Sequence, residues 1–397
     1  MKLKVKNTIG HIIATLLMLL VYVRLEAQIP TWQQLSVENA NRLVLTSELT
    51  LPAYITEQAI ESIHVIPNNH PTLLIIVSDD TIEKYTWYLW DTGSNQSLFE
   101  LQTPPINSVN MSPNGNFLAI TTENPDNKDI TDTCLWSLEP IEKLNCWVTP
   151  IAVDLQFTAD EKTLILPLAD KQVIGWDIQA NTNRLTIPLD IVSIAITPDD
   201  TFLILDETDA ISIWDIQTET PSEFYRYLLP NKVIVERITL DSLGQYIFFN
   251  TISLIGSGEI ELGVWDMTSN NVQYIQREII PRDFFSRVQI RLFLFKQPDS
   301  RSLVEIIDPI TGTNYGTIRV STLRDYTLAQ DIFIAREETE NGFTWSVKNF
   351  ETQEALFTLY ENADDNLLDV RFTQDERFIL AYTEDGRVQL WGVPAEG

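Results

Sequence analysis

Residues 197–215 read TPDDTFLILDETDAISIWD, and this stretch decides the fold. It opens with a turn, because Pro presets a turn dihedral and Asp favours turn conformations. The apolar run Phe-Leu-Ile-Leu follows at residues 202–205, and a second apolar strand then ends in Trp214 and Asp215. A short strand that is apolar at every position predicts burial on both faces. The stretch therefore predicts a pair of strands covered by neighbouring sheets.

The same unit recurs along the chain. An apolar strand that ends in Trp occurs six times, and degenerate copies at residues 306–308 and 347–349 fill the one long gap. Neighbouring copies lie 38 to 51 residues apart, and a period of about 42 residues is that of one four-stranded propeller blade. We therefore predict an all-β propeller of eight blades in residues 28–397, with seven blades as the alternative. The copies that keep the Trp are Trp90-Asp91, Trp136-Ser137, Trp176-Asp177, Trp214-Asp215, Trp265-Asp266 and Trp391-Gly392.

These copies resemble the WD-repeat (tryptophan–aspartate repeat) family of β-propellers, in which the third strand of each blade ends in a Trp-Asp pair. The resemblance covers residues 30–397 and implies a platform for protein–protein interaction. Two features depart from the family: no Gly-His dipeptide precedes the blades, and units six and seven lack the Trp. The family's buried His–Ser–Trp–Asp network therefore cannot be complete here. Acidic residues do persist in the turn before the Trp strand, at Asp170, Asp209 and Asp385.

The two ends of the repeat region complement each other. The last unit ends with a strand at residues 388–391 and has only six further residues, so it lacks a fourth strand. The segment 42–49 precedes the first unit, alternates apolar residues and has no hairpin partner. An orphan strand and an open sheet edge are both liabilities. We therefore expect residues 42–49 to complete the last blade and to close the ring.

Residues 1–27 have the features of a secretory signal. Lysines open the segment, residues 12–23 are mostly apolar, and a passable small-residue cleavage site ends at Ala27. The mostly apolar run 9–23 is short for a bilayer span, which needs about 20 residues. An uncleaved signal-anchor is the alternative, because charged residues lie close to the cleavage point. In either case we expect an exported protein, secreted or held in the cell envelope.

The chain is strongly acidic, with 56 acidic and 27 basic residues and a net charge of −29. This balance argues against nucleic-acid binding, which needs clustered Lys and Arg to neutralise phosphates. It also disfavours binding to anionic membranes, whereas it permits binding of cationic partners or divalent ions. Oxygen-rich loops suit calcium, so weak calcium binding is possible at residues 123–132 and 362–366. Neither loop has EF-hand spacing, and solvated polar loops are the stronger alternative.

The two cysteines lie in consecutive strands of the second unit. Cys134 precedes Trp136, Cys146 precedes Trp147, and both lie six residues from Pro140 in the intervening turn. In a symmetric hairpin such residues face each other with close Cβ atoms. An exported protein meets oxidising conditions, in which such a pair joins. We therefore predict a Cys134–Cys146 disulfide, and two reduced, buried thiols offset by a bulge are the alternative.

The sequence offers little for catalysis. Histidine-dependent triads and the usual zinc sites need His beside a nucleophile or further ligands. Outside the signal the chain holds only His64 and His70, which we expect at the surface or in a turn. It contains no phosphate-binding Gly-rich loop and no nucleophile elbow. We therefore expect no enzymatic activity, no cofactor and no metal centre.

Two functions fit these features. The first is a non-catalytic, exported propeller that binds another protein through the loops at the ends of the ring. The alternative is a propeller that uses its central channel for a small ligand, a carbohydrate or a cation, or as a carboxylate-dependent hydrolase. The channel alternative requires polar groups with perturbed pKa values to converge at the centre of the ring.

Overall fold

The structure is a computed structural model of the chain. It describes residues 32–56, 59–66, 72–79, 84–150, 155–207, 209–217, 222–229, 233–241, 243–253, 260–276, 292–295, 303–307, 314–319, 326–329, 332–339, 342–349, 352–363, 367–373 and 376–394. The predicted signal, residues 1–27, and His70 lie outside this set. Helix is confined to a 3-10 turn, Ala40–Arg42, and one short α-helix, Ala53–Thr56, within the described ranges. Neither has the length and apolarity needed to cross a bilayer.

The strands form eight antiparallel sheets, here called blades I to VIII in chain order. Blade I contains β2 (Ala59–Ile66), β3 (Thr72–Asp79), β4 (Lys84–Asp91) and β5 (Gln96–Thr103). Blade II contains β6 (Ile106–Met111), β7 (Phe117–Glu123), β8 (Ile130–Leu138) and β9 (Ile141–Pro150). Blade III contains β10 (Gln156–Phe157), β11 (Thr163–Leu168), β12 (Gln172–Asp177) and β13 (Thr182–Ile187). Blade IV contains β14 (Ile191–Ile196), β15 (Phe202–Glu207), β16 (Ala210–Asp215) and β17 (Ser222–Leu228).

The second half of the chain continues the series. Blade V contains β18 (Val233–Leu240), β19 (Tyr246–Ser253), β20 (Ile260–Asp266) and β21 (Asn271–Gln276). Blade VI contains β22 (Leu292–Phe295), β23 (Leu303–Ile307) and β24 (Asn314–Arg319). Blade VII contains β25 (Tyr326–Ala329), β26 (Ile332–Thr339), β27 (Gly342–Asn349) and β28 (Ala355–Ala363). Blade VIII contains β29 (Leu367–Phe372), β30 (Phe378–Thr383) and β31 (Arg387–Gly392), together with β1 (Val44–Thr50).

This series is an eight-bladed β-propeller, as the repeat predicts. The Trp of every complete copy lies near the end of the third strand of its blade, as Trp90 does in β4. The degenerate copies also occupy that place, because Ile307 ends β23 and residues 347–349 end β27. Blade VI shows three strands among the described residues, and these correspond to the second, third and fourth strands of the other blades.

Strand β1 completes blade VIII, as predicted. It pairs antiparallel with β31, from Val44 opposite Gly392 to Thr50 opposite Arg387. A bulge between Leu45 and Ser47 interrupts the register. The hydroxyl of Thr46 donates a 2.9 Å hydrogen bond to the backbone oxygen of Leu390. The N-terminal strand thus replaces the missing fourth strand of the last blade.

The core consists of the layers between neighbouring blades. Leu73, Ile75 and Val77 of β3 face blade VIII, whereas Leu74 and Ile76 face blade II. Side chains on a strand alternate between its faces, so a strand packed on both sides must be apolar at successive positions. Shared clusters of this kind run from blade VII through VIII, I, II, III and IV to blade V.

One glycine shows how tightly a blade is filled. Gly263 of β20 pairs with Phe249 of β19. A Cβ atom on Gly263 would lie 2.2 Å from the Phe249 ring. Only glycine leaves room for that ring, because packed interiors have no spare volume of a methyl group's size.

Candidate functional site

The two ends of the propeller differ in construction. Consecutive strands are antiparallel, so the turns between first and second strands and between third and fourth strands lie at the same end, here called the turn end. Backbone hydrogen bonds join these two kinds of turn within a blade, from Leu138 N–H to Asn116 O and from Ile178 N–H to Lys162 O, both 2.9 Å. The hairpins between second and third strands and the connections between blades lie at the opposite, loop end.

The first turn of five blades has a common hydrogen-bond pattern. The turn begins with a Ser, Thr or Asp whose side-chain oxygen accepts a bond from the backbone N–H five residues later. For Thr197 and Phe202 this distance is 2.9 Å. The fourth residue has positive φ, which is 57° at Asp200 and 66° at Gly244. The turns begin at Ser112, Thr158, Thr197, Asp241 and Thr373.

Carboxylates at this fourth position connect blades. Glu161 of blade III accepts bonds from the Asn114 N–H at 2.5 Å and from the Asn116 side-chain amide at 2.6 Å, both in blade II. Asp200 of blade IV accepts bonds from the backbone N–H groups of Ala159 and Asp160 in blade III, at 2.8 and 3.2 Å. The first turns of blades III and IV are therefore fixed to the first turn of the preceding blade. These contacts between blades were not predicted from the sequence.

The Trp residues of the repeat are structural. Trp90 and Trp265 are buried, and their indole N–H groups donate 3.0 Å bonds to Asn95 and Asn270 in the turns that follow. Trp214 donates to the Ser212 hydroxyl at 2.9 Å. The other members make ring contacts: Trp136 lies edge-on to Trp87, Trp176 to Trp147 and Trp391 to Phe357.

The Asp residues of the repeat hold the turns that follow the Trp strands. Asp91 accepts bonds from the N–H groups of Gly93 and Ser94, and Asp177 accepts one from Ala180. Asp215 accepts one from Gln217 at 2.9 Å. Hydrogen bonds from Thr268 and Ser269 lower the pKa of Asp266 to about 2. Such Asx turns are a local backbone device.

The acidic residues that precede the Trp strands also act locally. Asp170 accepts a 3.2 Å bond from the Gln172 side chain, and Asp385 accepts one from the Thr383 hydroxyl. The Asp209 carboxylate lies 3.7 Å from the Arg226 guanidinium. These contacts belong to the loop end of the blades.

Polar side chains of the first strands join neighbouring blades at the centre of the ring, where β10 contacts β14 and β14 contacts β18. The Gln156 amide donates to Ile194 O at 3.0 Å and accepts from Ile196 N–H at 3.1 Å, which links blades III and IV. The Arg371 guanidinium donates to Ile63 O and thereby links blades VIII and I.

His64 does not lie in a turn, and it is only partly exposed at the surface, where the sequence predicted one or the other. It belongs to β2, pairs with Leu74 and is half-buried. Its Nε2 lies 3.2 Å from the Ser62 hydroxyl. Burial, with the nearby charge of Arg371, lowers the pKa of His64 to about 4. At neutral pH the imidazole is therefore neutral and structural.

The disulfide prediction is confirmed. Cys134 of β8 and Cys146 of β9 are direct cross-strand partners with a Cα–Cα distance of 4.1 Å, and their sulfur atoms are bonded.

Four threonines, all buried, form hydrogen bonds in the same blade. They are Thr121, Thr131, Thr133 and Thr149.

The acidic loop at residues 123–132 has an internal order. The Asn124 side chain accepts bonds from the N–H groups of Asp126 and Asn127, and it donates to Asp132, each at 3.0 Å. Nowhere in the described ranges do three His, Cys, Asp or Glu side chains meet in an arrangement that could hold a metal ion. The second acidic loop, 362–366, lies partly outside those ranges. Calcium binding stays a prediction.

No protein-family model and no curated protein sequence matches the chain. Solved structures are similar to it. BamB from Moraxella catarrhalis is similar with a TM-score of 0.52 and 12% identity, over 88% of this chain and 99% of that chain. The β-propeller domain of Cps50 (Swd1) from Myceliophteria thermophila gives a TM-score of 0.47 and 15% identity, over 74% of this chain and 98% of that chain. At 12% identity, the similarity to BamB shows the fold alone.

Proposed function

We propose that the protein is a non-catalytic, exported WD-type propeller that binds another protein. One observation carries the proposal: three polar side chains of the first strands are engaged in holding blades together. Gln156 bonds to the backbone of blade IV, Arg371 to that of blade I, and the Ser193 hydroxyl accepts a 3.5 Å bond from Ile238 N–H of blade V. Polar side chains that already hold neighbouring blades together support a rigid frame rather than a channel lined with reactive groups.

The perturbed pKa values support the same proposal. The groups whose pKa is lowered to about 2 are Asp160 and Asp266, and both owe the shift to hydrogen bonds within tight turns of the turn end. A catalytic carboxylate pair would need one member with a raised pKa so that it can donate a proton. These two lowered pKa values therefore reflect turn stabilisation.

Two features support export. The N-terminal segment 1–27 combines a basic start with a short apolar run. The Cys134–Cys146 disulfide suits an oxidising compartment, since such bonds are rare in reducing cytosol. Cell fractionation with N-terminal sequencing of the recovered protein tests this point, and a chain that begins at Gln28 outside the cytoplasm is the expected result.

Partner capture tests the binding function. The full chain with a C-terminal tag is expressed in its source organism and recovered from the extracytoplasmic fraction at low and at moderate salt. We expect one protein to be retained in stoichiometric amount at moderate salt. An unrelated bait of similar acidity serves as the control, because the net charge of −29 attracts basic proteins by itself. Recovery of only those basic proteins that the control also retains would contradict the proposal.

A further inference from the structure

The Cys134–Cys146 disulfide lies at the outer rim of blade II. Cys146 belongs to β9, the last strand of the sheet, and is exposed, whereas Cys134 belongs to β8 and is half-buried. The two residues are direct cross-strand partners. The bond therefore runs from the interior of the sheet towards its outer edge, and its two ends differ in their access to solvent.

The backbone N–H of Cys146 points away from β8. It donates a 2.9 Å hydrogen bond to the side-chain oxygen of Asn145. The short Cα–Cα distance of 4.1 Å between the cysteines is typical of a cross-strand pair that shares no backbone hydrogen bonds. In such a pair the backbone of the outer residue faces the outer edge of the sheet. A reagent that approaches this edge therefore meets Cys146 before Cys134.

Cys146 shares one face of β9 with Lys143 and Val148. Lys143 pairs with Trp136, and its Nζ lies 5.9 Å from the centroid of that ring. Val148 is 44% exposed. A thiolate is an anion, and the chain as a whole repels anions because its net charge is −29. The positive charge of Lys143 reduces this repulsion on the face that carries the disulfide.

The direction of attack distinguishes the two sulfur atoms. A thiolate attacks a disulfide sulfur along the S–S axis, from the side opposite the sulfur that leaves. For Cys146 this approach comes from the outer edge of the sheet. For Cys134 it comes from β7, where Ile120 is the cross-strand partner of Cys134 and is only 2% exposed. The sulfur of Cys146 is therefore the accessible target.

The β8–β9 hairpin has other contacts that hold it in place. The pairing of β8 with β9 extends from the connecting turn to Ile130 opposite Pro150. On the face opposite the disulfide, the hydroxyl oxygens of Thr133 and Thr149 are 2.8 Å apart. The Trp147 ring on that face lies edge-on to Trp176 of blade III. The disulfide can therefore open while the blade keeps its fold.

We infer that this disulfide is a site of thiol–disulfide exchange with an external thiol. A thiolate forms a bond to the Cys146 sulfur, the Cys134–Cys146 bond breaks, and its electron pair leaves on Cys134, which takes a proton from water. A second external thiolate then attacks the external sulfur of the mixed disulfide and releases Cys146, which is protonated in turn. Two external thiols are thereby oxidised to a disulfide and the two cysteines are reduced. This reactivity goes beyond the proposed protein-binding function and does not depend on it.

The test exposes the folded full chain to glutathione, a small monothiol, or to thioredoxin, a protein dithiol. Samples are alkylated with N-ethylmaleimide at early times and analysed by peptide mapping. We expect glutathione on Cys146 and the alkyl group on Cys134. The rate should rise in proportion to thiol concentration and stay unchanged in urea below the unfolding transition, because the native protein reacts. The faster of the two reagents at equal thiol concentration identifies the source of the thiol as a protein or a small molecule.

Two single-cysteine variants provide matched controls. The Cys146 thiol of Cys134→Ser should react with Ellman's reagent about tenfold faster than the Cys134 thiol of Cys146→Ser, because exposure governs thiol reactivity. Circular dichroism verifies that both variants are folded. Glutathione attached to Cys134, equal reactivity of the two thiols, or reduction that requires unfolding concentrations of urea would each overturn the inference.

Discussion

Glu161 occupies a backbone position that glycine usually fills. Its φ is 57°, and the equivalent residue in blade II is Gly115. A left-handed conformation costs a residue with a side chain about 1–2 kcal/mol. The cost is offset because the carboxylate, only 6% exposed, accepts bonds from both Asn114 and Asn116 of the preceding blade. Asp200 repeats the arrangement one blade further on.

We predict that Glu161→Gln lowers the free energy of unfolding by about 2 kcal/mol, since hydrogen bonds to a charged group contribute about 1.5–3 kcal/mol. The amide keeps the shape of the side chain but carries no charge, so it accepts more weakly from Asn114 and Asn116. Urea unfolding measures the difference. Glu100→Gln, at an exposed site on β5, controls for the lost charge and should change stability by less than about 0.5 kcal/mol. Equal effects of the two variants would refute the structural role of Glu161.

We expect His64 to make the stability of the protein depend on pH. Its pKa is about 4 in the folded protein and 6.5 when unperturbed, so protonation favours the unfolded chain. The stabilisation is complete above pH 6.5 and is lost as the pH falls towards 4, by up to about 3 kcal/mol. The turn carboxylates Asp160 and Asp266, with pKa values of about 2, lose their contribution only in more acidic solution.

The variant His64→Gln should therefore have a flatter stability profile than the wild type between pH 6.5 and 4. Glutamine stays neutral and can bond to the Ser62 hydroxyl as the imidazole does. Urea unfolding at several pH values within this window gives both profiles, and the interval below pH 4 serves as an internal control because both proteins should lose stability there in parallel. Identical slopes in the upper window would show that His64 does not titrate there.

At the scale of elements, the β8–β9 hairpin is held by the Cys134–Cys146 disulfide, whose cysteines are 12 residues apart. Closing a loop of this length stabilises a protein by about 3 kcal/mol through the entropy of the unfolded chain. We expect Cys134→Ser/Cys146→Ser to lower the free energy of unfolding, measured by urea unfolding, by that amount. Reduced wild type is the control and should match the double variant. No change of the wild-type midpoint on reduction would contradict the prediction.

The elements that the sequence predicted are those with local signatures. The Trp-Asp strands, the apolar runs such as 202–205 and the cysteine pair each have a signature within one unit. The strand that completes blade VIII was predictable because the last unit lacks a fourth strand and residues 42–49 lack a partner. The contacts between blades have no such signature. Glu161 and Asn114 are 47 residues apart, Gln156 and Ile194 are 38 apart, and both pairs depend on how two blades are placed. The available signal for such a contact was an acidic residue at a turn position that favours glycine. This signal can be interpreted only when the position of the neighbouring turn is known.

At the scale of the whole molecule, packing and charge oppose each other. Apolar clusters join blades VII, VIII, I, II, III, IV and V in sequence, while the chain carries a net charge of −29. Like charges on a compact particle repel, and folding brings them closer than they are in the unfolded chain. Dissolved salt should therefore stabilise the folded ring.

We predict that the thermal midpoint rises with NaCl by several degrees, mostly below about 0.15 M, where the screening length falls to about 8 Å. Calorimetry at increasing NaCl measures this, and CaCl₂ at matched ionic strength is the control. If the midpoints in NaCl and in CaCl₂ follow the same curve against ionic strength, screening explains the whole effect. An extra rise with CaCl₂ that Asp132→Asn abolishes would instead identify the loop at residues 123–132 as a calcium site. A midpoint that is constant or falls with NaCl would mean that the carboxylate contacts within and between the turns, which salt weakens, outweigh the repulsion of the net charge.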